Sequence, residues 1–195
     1  MEAPSSSQSD PTQSNSKTKP TDHDRAAPRG VGSTKAAGNY APCFNAQASA
    51  KAAGFDDVLY LDSQERRYVE EVAASNFFVV RDGVAHTPSL GTILPGVTRR
   101  SVIELLRTEV GMEVVEGQVD IRTAMEEGAS EAFCVGTGAS VSPIGSITNG
   151  DAVAEYSYGD SGYGPVAEKV LSLLSGIQGG TMEDKRGWVY RVQAN

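Results

Sequence analysis

The chain has 195 residues, 39% of them apolar, and a formal charge of −8, which suits one domain and disfavours non-specific nucleic-acid binding, for which no basic stripe is present either. No apolar run approaches the roughly 18 residues that a bilayer span needs. Two cysteines and two histidines suggest neither a disulfide framework nor a metal site. The first 30 residues contain no Val, Ile, Leu, Phe, Tyr or Trp, and such a stretch buries too little surface to offset the entropy of ordering. Residues 1–24 are therefore expected to be a disordered polar leader, removable without loss of fold, ahead of a domain spanning 25–195. The leader lacks the apolar core of a secretory signal and is too acidic for a transit peptide. The expected location is intracellular and soluble, with cytoplasm, mitochondrion and plastid left open.

From Val31 onward strands and helices are interspersed. The Ala-rich run from Cys43 to Ala53 stops at Gly54, which predicts a helix with a C-terminal glycine. Strands are predicted over Val58–Leu61, Tyr68–Val72 and Asn76–Val80, with Arg81-Asp82-Gly83 as a hairpin turn. Apolar residues at Val102, Ile103, Leu105, Leu106 and Val110 predict a helix over Thr98–Val110. Glu113–Val119 and Glu131–Val135 are strand-like, and Thr148-Asn-Gly-Asp151 is a turn signal. Gly164-Pro165 opens a helix with Val166, Val170, Leu173, Leu174 and Ile177 on one face, ended by Gly179-Gly180. The sum is a mixed α/β (α+β) domain with no internal repeat.

Four segments follow one another in order. They are Gly32-Ser-Thr-Lys35-Ala-Ala-Gly38-Asn39-Tyr40, Tyr68-Val-Glu70-Glu71-Val-Ala-Ala-Ser-Asn76, Gly91-Thr-Ile-Leu94-Pro-Gly96-Val97-Thr98-Arg99, and Phe133-Cys-Val-Gly136-Thr137-Gly138. Taken singly each is ordinary: a solvated lysine, strand carboxylates, a helix entry with Thr98 as N-cap, and a turn. A nucleotide phosphate loop around Gly30–Lys35 is excluded, because that motif needs Gly before the Lys and Ser or Thr after it, where Thr34 and Ala36 stand. Gly96-Val97-Thr98 lies where a helix begins, a place suited to an anion.

The ordered set resembles the class IV aminotransferases, enzymes that use pyridoxal 5′-phosphate (PLP), and most of all their branched-chain amino acid aminotransferase group. The segments Thr92–Thr98 and Ser142–Ile147 carry that second likeness, and Glu183-Asp-Lys-Arg-Gly-Trp188 extends the match to the chain end. The resemblance implies that Lys35 is the Schiff-base lysine, whose chemistry favours a desolvated amine. It assigns Tyr40 to the cofactor's phenolic oxygen and Glu71, five residues before Asn76, to the pyridine nitrogen, where a carboxylate keeps the ring electron-withdrawing. Glu70 points to the opposite face of a strand and is the weaker candidate. Leu94 is assigned to ring packing, Val97 and Thr98 to the phosphate, and Thr137 to the phosphate and, with Gly138, to the substrate carboxylate. Most members have Ala where this chain has Gly138, and the Cys-x-x-Cys pair of some relatives is missing. The implied reaction moves the amino group of Leu, Ile or Val to 2-oxoglutarate, giving glutamate, with no metal. The D-amino acid aminotransferases and aminodeoxychorismate lyases of the same class are alternatives. The likeness covers only the family's larger C-terminal domain. The smaller N-terminal domain is expected to be absent, as in a truncated form or a non-catalytic fragment, and a homodimer is expected where it is present.

Overall fold

The computed structural model describes residues 16–126, 128–138 and 140–192. In chain order these form β1 (Lys17–Pro20), a 3-10 turn (Ala37–Asn39), α1 (Cys43–Ala52), β2 (Asp57–Leu61), β3 (Tyr68–Val72), β4 (Ser75–Arg81) and β5 (Val84–Pro88). Then come α2 (Val97–Leu105), which continues as a π-helical turn (Leu106–Val110), β6 (Val114–Gly117), β7 (Val119–Asp120), α3 (Ile121–Met125), β8 (Ala129–Gly136), β9 (Ser140–Ile144), β10 (Ser146–Asn149), β11 (Ala152–Glu155) and α4 (Pro165–Gly179). The expected mixed α/β class is what the chain adopts.

All eleven strands belong to one sheet, in the order β11-β10-β1-β2-β3-β4-β5-β6, with β7 on β3, and β8 on both β4 and β9. Strand alternation buries both faces. In β4, Phe78 and Val80 face a core built with α2 and α4, whereas Phe77 and Val79 face a second core closed by α3. The paired strand β8 repeats the pattern, with Phe133 and Val135 on one side and Ala132 on the other. Phe78 and Phe133 stand opposite each other and stack with centroids 5.2 Å apart. The predicted hairpin turn forms, with Asp82 and Gly83 both at positive φ, the geometry that matches strand twist.

Glu131 on β8 is buried, and its carboxylate accepts from Val166 N at 2.8 Å and Ala167 N at 3.0 Å. It therefore caps α4, whose own N-cap residue, Gly164, has no side chain to do so. At the other end of the chain, Arg186 lays its guanidinium on Glu104 and Glu109, both at 2.7 Å, and on the Thr108 hydroxyl. These three residues straddle the π-helical turn. That turn is where the structure departs from the regular helix expected over Thr98–Val110.

A second departure concerns the N-terminal leader. Residues 1–15 lie outside the described residues, but Lys17–Pro20 is a strand inside the sheet rather than part of a disordered leader. It runs parallel to both neighbours, with Lys17 and Thr18 on Ser146 and Ile147, and Thr18, Lys19 and Pro20 on Asp57, Val58 and Leu59. Thr18 is fully buried, and its hydroxyl donates to Asp57 O at 3.2 Å. Backbone pairing on two sides recruits this polar tetrapeptide, a force that side-chain hydrophobicity does not report. Pro20 is tolerated because it sits at the strand's end. Removal of β1 opens the edges of β2 and β10. Residues 25–195 should accordingly melt roughly 5–10 °C below residues 16–195, the effect of about 2–3 kcal/mol in a domain of this size. Equal melting temperatures by calorimetry would restore the leader reading.

Candidate active site

The β3–β4 hairpin fixes the carboxylate and the amide of the second segment. Glu71 and Asn76 are direct cross-strand partners, so their side chains emerge on one face. Asn76 Nδ2 donates to Glu71 Oε1 at 2.9 Å and to Leu94 O at 3.0 Å, while Leu94 N donates to the same Oε1 at 2.9 Å. The spacing of five between Glu71 and Asn76 thus has a physical reason: the pair brackets the backbone of Leu94. Gly96 follows closely, and a Cβ there would stand 2.3 Å from Asn76 Oδ1, so glycine is required for the approach.

Glu71 is 1% exposed and faces Arg25, itself buried, whose Nη2 lies 2.6 Å from Oε2. That contact is a close ion pair between two buried side chains. Burial pushes the Glu71 carboxyl up to about 7, against the opposing pull of Arg25. Glu70, the weaker candidate for the pyridine nitrogen, is also buried, on the other face of β3.

Arg25 also reaches the lysine segment. Its Nη1 lies 3.5 Å from Gly32 O and from Thr92 O. Asn39 Nδ2 then ties the loop to itself, donating to Val31 O at 2.8 Å and Thr34 O at 2.7 Å. Lys35 ends this loop. Its side chain is exposed rather than desolvated, with Nζ 5.5 Å from the ring centroid of the half-buried Tyr40. Among the described residues Lys35 makes no ion pair with Glu71.

The third segment leads into α2. Gly96 is the N-cap in extended conformation, no side chain caps the helix, and Val97 and Thr98 are its first two residues. This corrects the N-cap expected at Thr98: that residue lies inside the first turn, half-buried, beside an exposed Val97. The fourth segment arrives through β8. Val135 pairs with Asn76, and Thr137 and Gly138, both exposed, form the turn just beyond. A groove of about 510 Å³ runs along α2 past Gly96 and Val97, but Lys35, Tyr40 and Glu71 do not line it.

The structure therefore joins Glu71, Leu94, Gly96 and Asn76 directly, the Lys35 loop through Arg25, and Thr137 through strand register. Sequence reasoning missed Arg25 and gave Asn39 no role. Nothing in composition separates the buried Arg25 from the exposed Arg29 four residues on.

Residues 3–147 match the family model described as amino-transferase class IV. The chain belongs to that family. It is 44% identical over 173 residues to the branched-chain-amino-acid aminotransferase 5, chloroplastic, of Arabidopsis thaliana, covering 88% of this chain and 40% of that protein. It is 44% identical to the mitochondrial branched-chain amino acid aminotransferase 1 of Humulus lupulus, over 87% of this chain and 42% of that one. The branched-chain amino acid aminotransferase structure from Escherichia coli superposes with a TM-score of 0.75 at 33% identity, covering 88% of this chain and 55% of that one. The PLP-form from Thermobaculum terrenum gives 0.69 at 29%, covering 83% and 50%. The class IV chain thus spans about two fifths of the curated relatives and about half of the solved structures.

The raised carboxyl gives a test within the family frame. Folded Glu71 binds its proton more tightly than the unfolded residue. Its contribution to stability is thus fully present below the ordinary value near 4.5 and is lost as pH rises through about 7. Glu71→Gln should flatten that part of the stability–pH curve. Arg25→Met, which removes the lowering charge, should move the Glu71 carboxyl above its wild-type position in a carbon-13 NMR titration. A carboxyl that stays put would show that Arg25 does not act on it.

Proposed function

We propose that this chain forms the PLP-binding part of a branched-chain amino acid aminotransferase, with the cofactor-binding unit beginning at β1 rather than at Arg25. The observation that carries the reading is the Glu71 carboxyl. It is buried, two N–H donors fix one of its oxygens, and the buried Arg25 guanidinium lies 2.6 Å from the other. That is a fit for a protonated ring nitrogen. The uncapped start of α2 fits a phosphate equally well, because free N–H groups and the helix dipole favour an anion there. Gly96, where a side chain would collide with Asn76, keeps that start close to the carboxylate.

PLP, when bound, supplies the electron sink for the substrate's α-carbon. The chain's residues supply the rest. Glu71 holds the proton at the ring nitrogen. Val97 and Thr98, with Thr137, hold the phosphate, Tyr40 the phenolic oxygen, and Leu94 packs on the ring. Thr137 and Gly138 receive the substrate carboxylate at the turn after β8. Lys35 would hold the cofactor through its amine and, once the substrate amine displaced it, the freed amine would take the proton from the substrate Cα as general base. The amino donors are branched-chain amino acids, by analogy with the relatives' names, and the acceptor that the motif resemblance implies is 2-oxoglutarate. Side-chain selection falls partly to the smaller domain of the family, and a homodimer is proposed where that domain is present.

The test is covalent labelling. PLP added to the purified chain and reduced with borohydride should label Lys35 by peptide mapping, and Lys35→Ala should abolish the label. Thr98→Val should weaken PLP binding roughly 10-fold, the worth of one charge-assisted hydrogen bond at about 1.5 kcal/mol. Labelling elsewhere, with Lys35 unmodified, overturns the assignment.

A further inference from the structure

Glu70 and Glu71 are neighbours in β3 and leave it on opposite faces, yet both end on the same short segment. Glu71 takes the N–H of Leu94, and Glu70 Oε1 accepts the hydroxyl of Thr92. Glu70 is only 6% exposed, and its Oε2 has no hydrogen-bond partner among the described residues. Thr92 is therefore the one described hydrogen-bond partner of a buried carboxyl.

The segment needs such anchors. Its backbone bonds to the rest of the sheet at Ser89 N, which donates to Gly117 O at 2.9 Å, and it has no strand ladder from there to α2. Glu70, Glu71 and Asn76 hold it instead. The lysine loop in turn rests on this segment. A Cβ at Gly32 would lie 2.0 Å from Thr92 O and 2.4 Å from the Ala26 Cβ, and Arg25 Nη1 is 3.5 Å from that same carbonyl. Where Thr92 stands decides where Gly32 can sit, three residues before Lys35.

We infer that Glu70 and Thr92 are a positioning pair, whose hydrogen bond sets the seat of the Lys35 loop relative to Leu94 and the first turn of α2. Neither residue touches the lysine or the helix start; they act through the Thr92 carbonyl and the peptide chain. The functional weight of the pair rests on reading this place as a PLP site. The contact itself does not.

The experiment compares Thr92→Ser, which keeps the hydroxyl, Thr92→Val, which replaces it at nearly constant volume, and Glu70→Gln, which keeps an acceptor. Amide hydrogen exchange is followed by NMR in the cofactor-free 195-residue chain, and PLP affinity by absorbance. Thr92→Val should speed exchange about 10-fold at Leu94, Gly96 and the residues around Gly32, leaving β4 and β8 unchanged, since the loss is local. Thr92→Ser and Glu70→Gln should stay near wild type. PLP affinity should fall about 10-fold in Thr92→Val and recover in Thr92→Ser. Equal exchange in the Val and wild-type chains, or equal damage from Ser and Val, overturns the inference. Should the Val chain not fold, the Thr92 hydroxyl proton of the unmodified chain decides: slow exchange with water supports the pair, and fast exchange refutes it. If the unmodified chain binds no PLP, the cofactor reading fails while the exchange data still settle the contact.

Discussion

A carboxyl buried as deeply as Glu71 demands partners, because an interior charge left alone costs several kcal/mol. Its partners come from parts of the chain far apart in sequence: Arg25 from the stretch after β1, Asn76 from the facing strand, and Leu94 from the irregular segment before α2. Meeting the needs of one side chain thus brings the strand, the helix start and, through Arg25, the lysine loop to a common point. Ion pairing and burial oppose each other there. Burial wins on balance and leaves the carboxyl near 7, the range in which a modest change of surroundings alters its charge.

Regular elements with a strong period were legible in the sequence, and the reason is packing. The helix opened by Gly164-Pro165 has apolar residues at intervals that an α-helix buries on one face. What escaped was held by other forces. The strand Lys17–Pro20 has no strongly apolar side chain and is recruited by backbone pairing on two sides. The five-residue helix Ile121–Met125 is too short to show a period, although Asp120 caps it by accepting from Arg122 N at 2.9 Å. The π-helical turn at Leu106–Val110 preserves the apolar pattern of an α-helix, so the pattern could not reveal it. It brings Glu104 and Glu109 to one guanidinium, that of Arg186.

The candidate site was legible to the extent that likeness of motif carries it. Glu71, Leu94 and Gly96 lie together, and Asn76 joins them by donating to both Glu71 and the Leu94 carbonyl. Glu70 read only as the weaker candidate because alternation says which face a residue takes, not what covers that face. The irregular segment carrying Thr92 covers it. The exposed amine of Lys35 is the feature least like the desolvated group that Schiff-base chemistry favours.

The placement of β1 has a consequence for the order of biosynthesis. Its partners on one side, in β2, are about 40 residues downstream, but those on the other, in β10, are about 130 residues downstream. At roughly 5–20 residues per second, a ribosome needs on the order of 10 s to deliver the second partner. Until then β1 is at best half-paired, and the strand beside it presents an open edge on which another nascent chain could dock. Because β1 brings no apolar anchor of its own, its pairing on both sides is complete only with β10. Sheet closure is thus a long-range event, and this architecture couples β1 to a strand about 130 residues downstream.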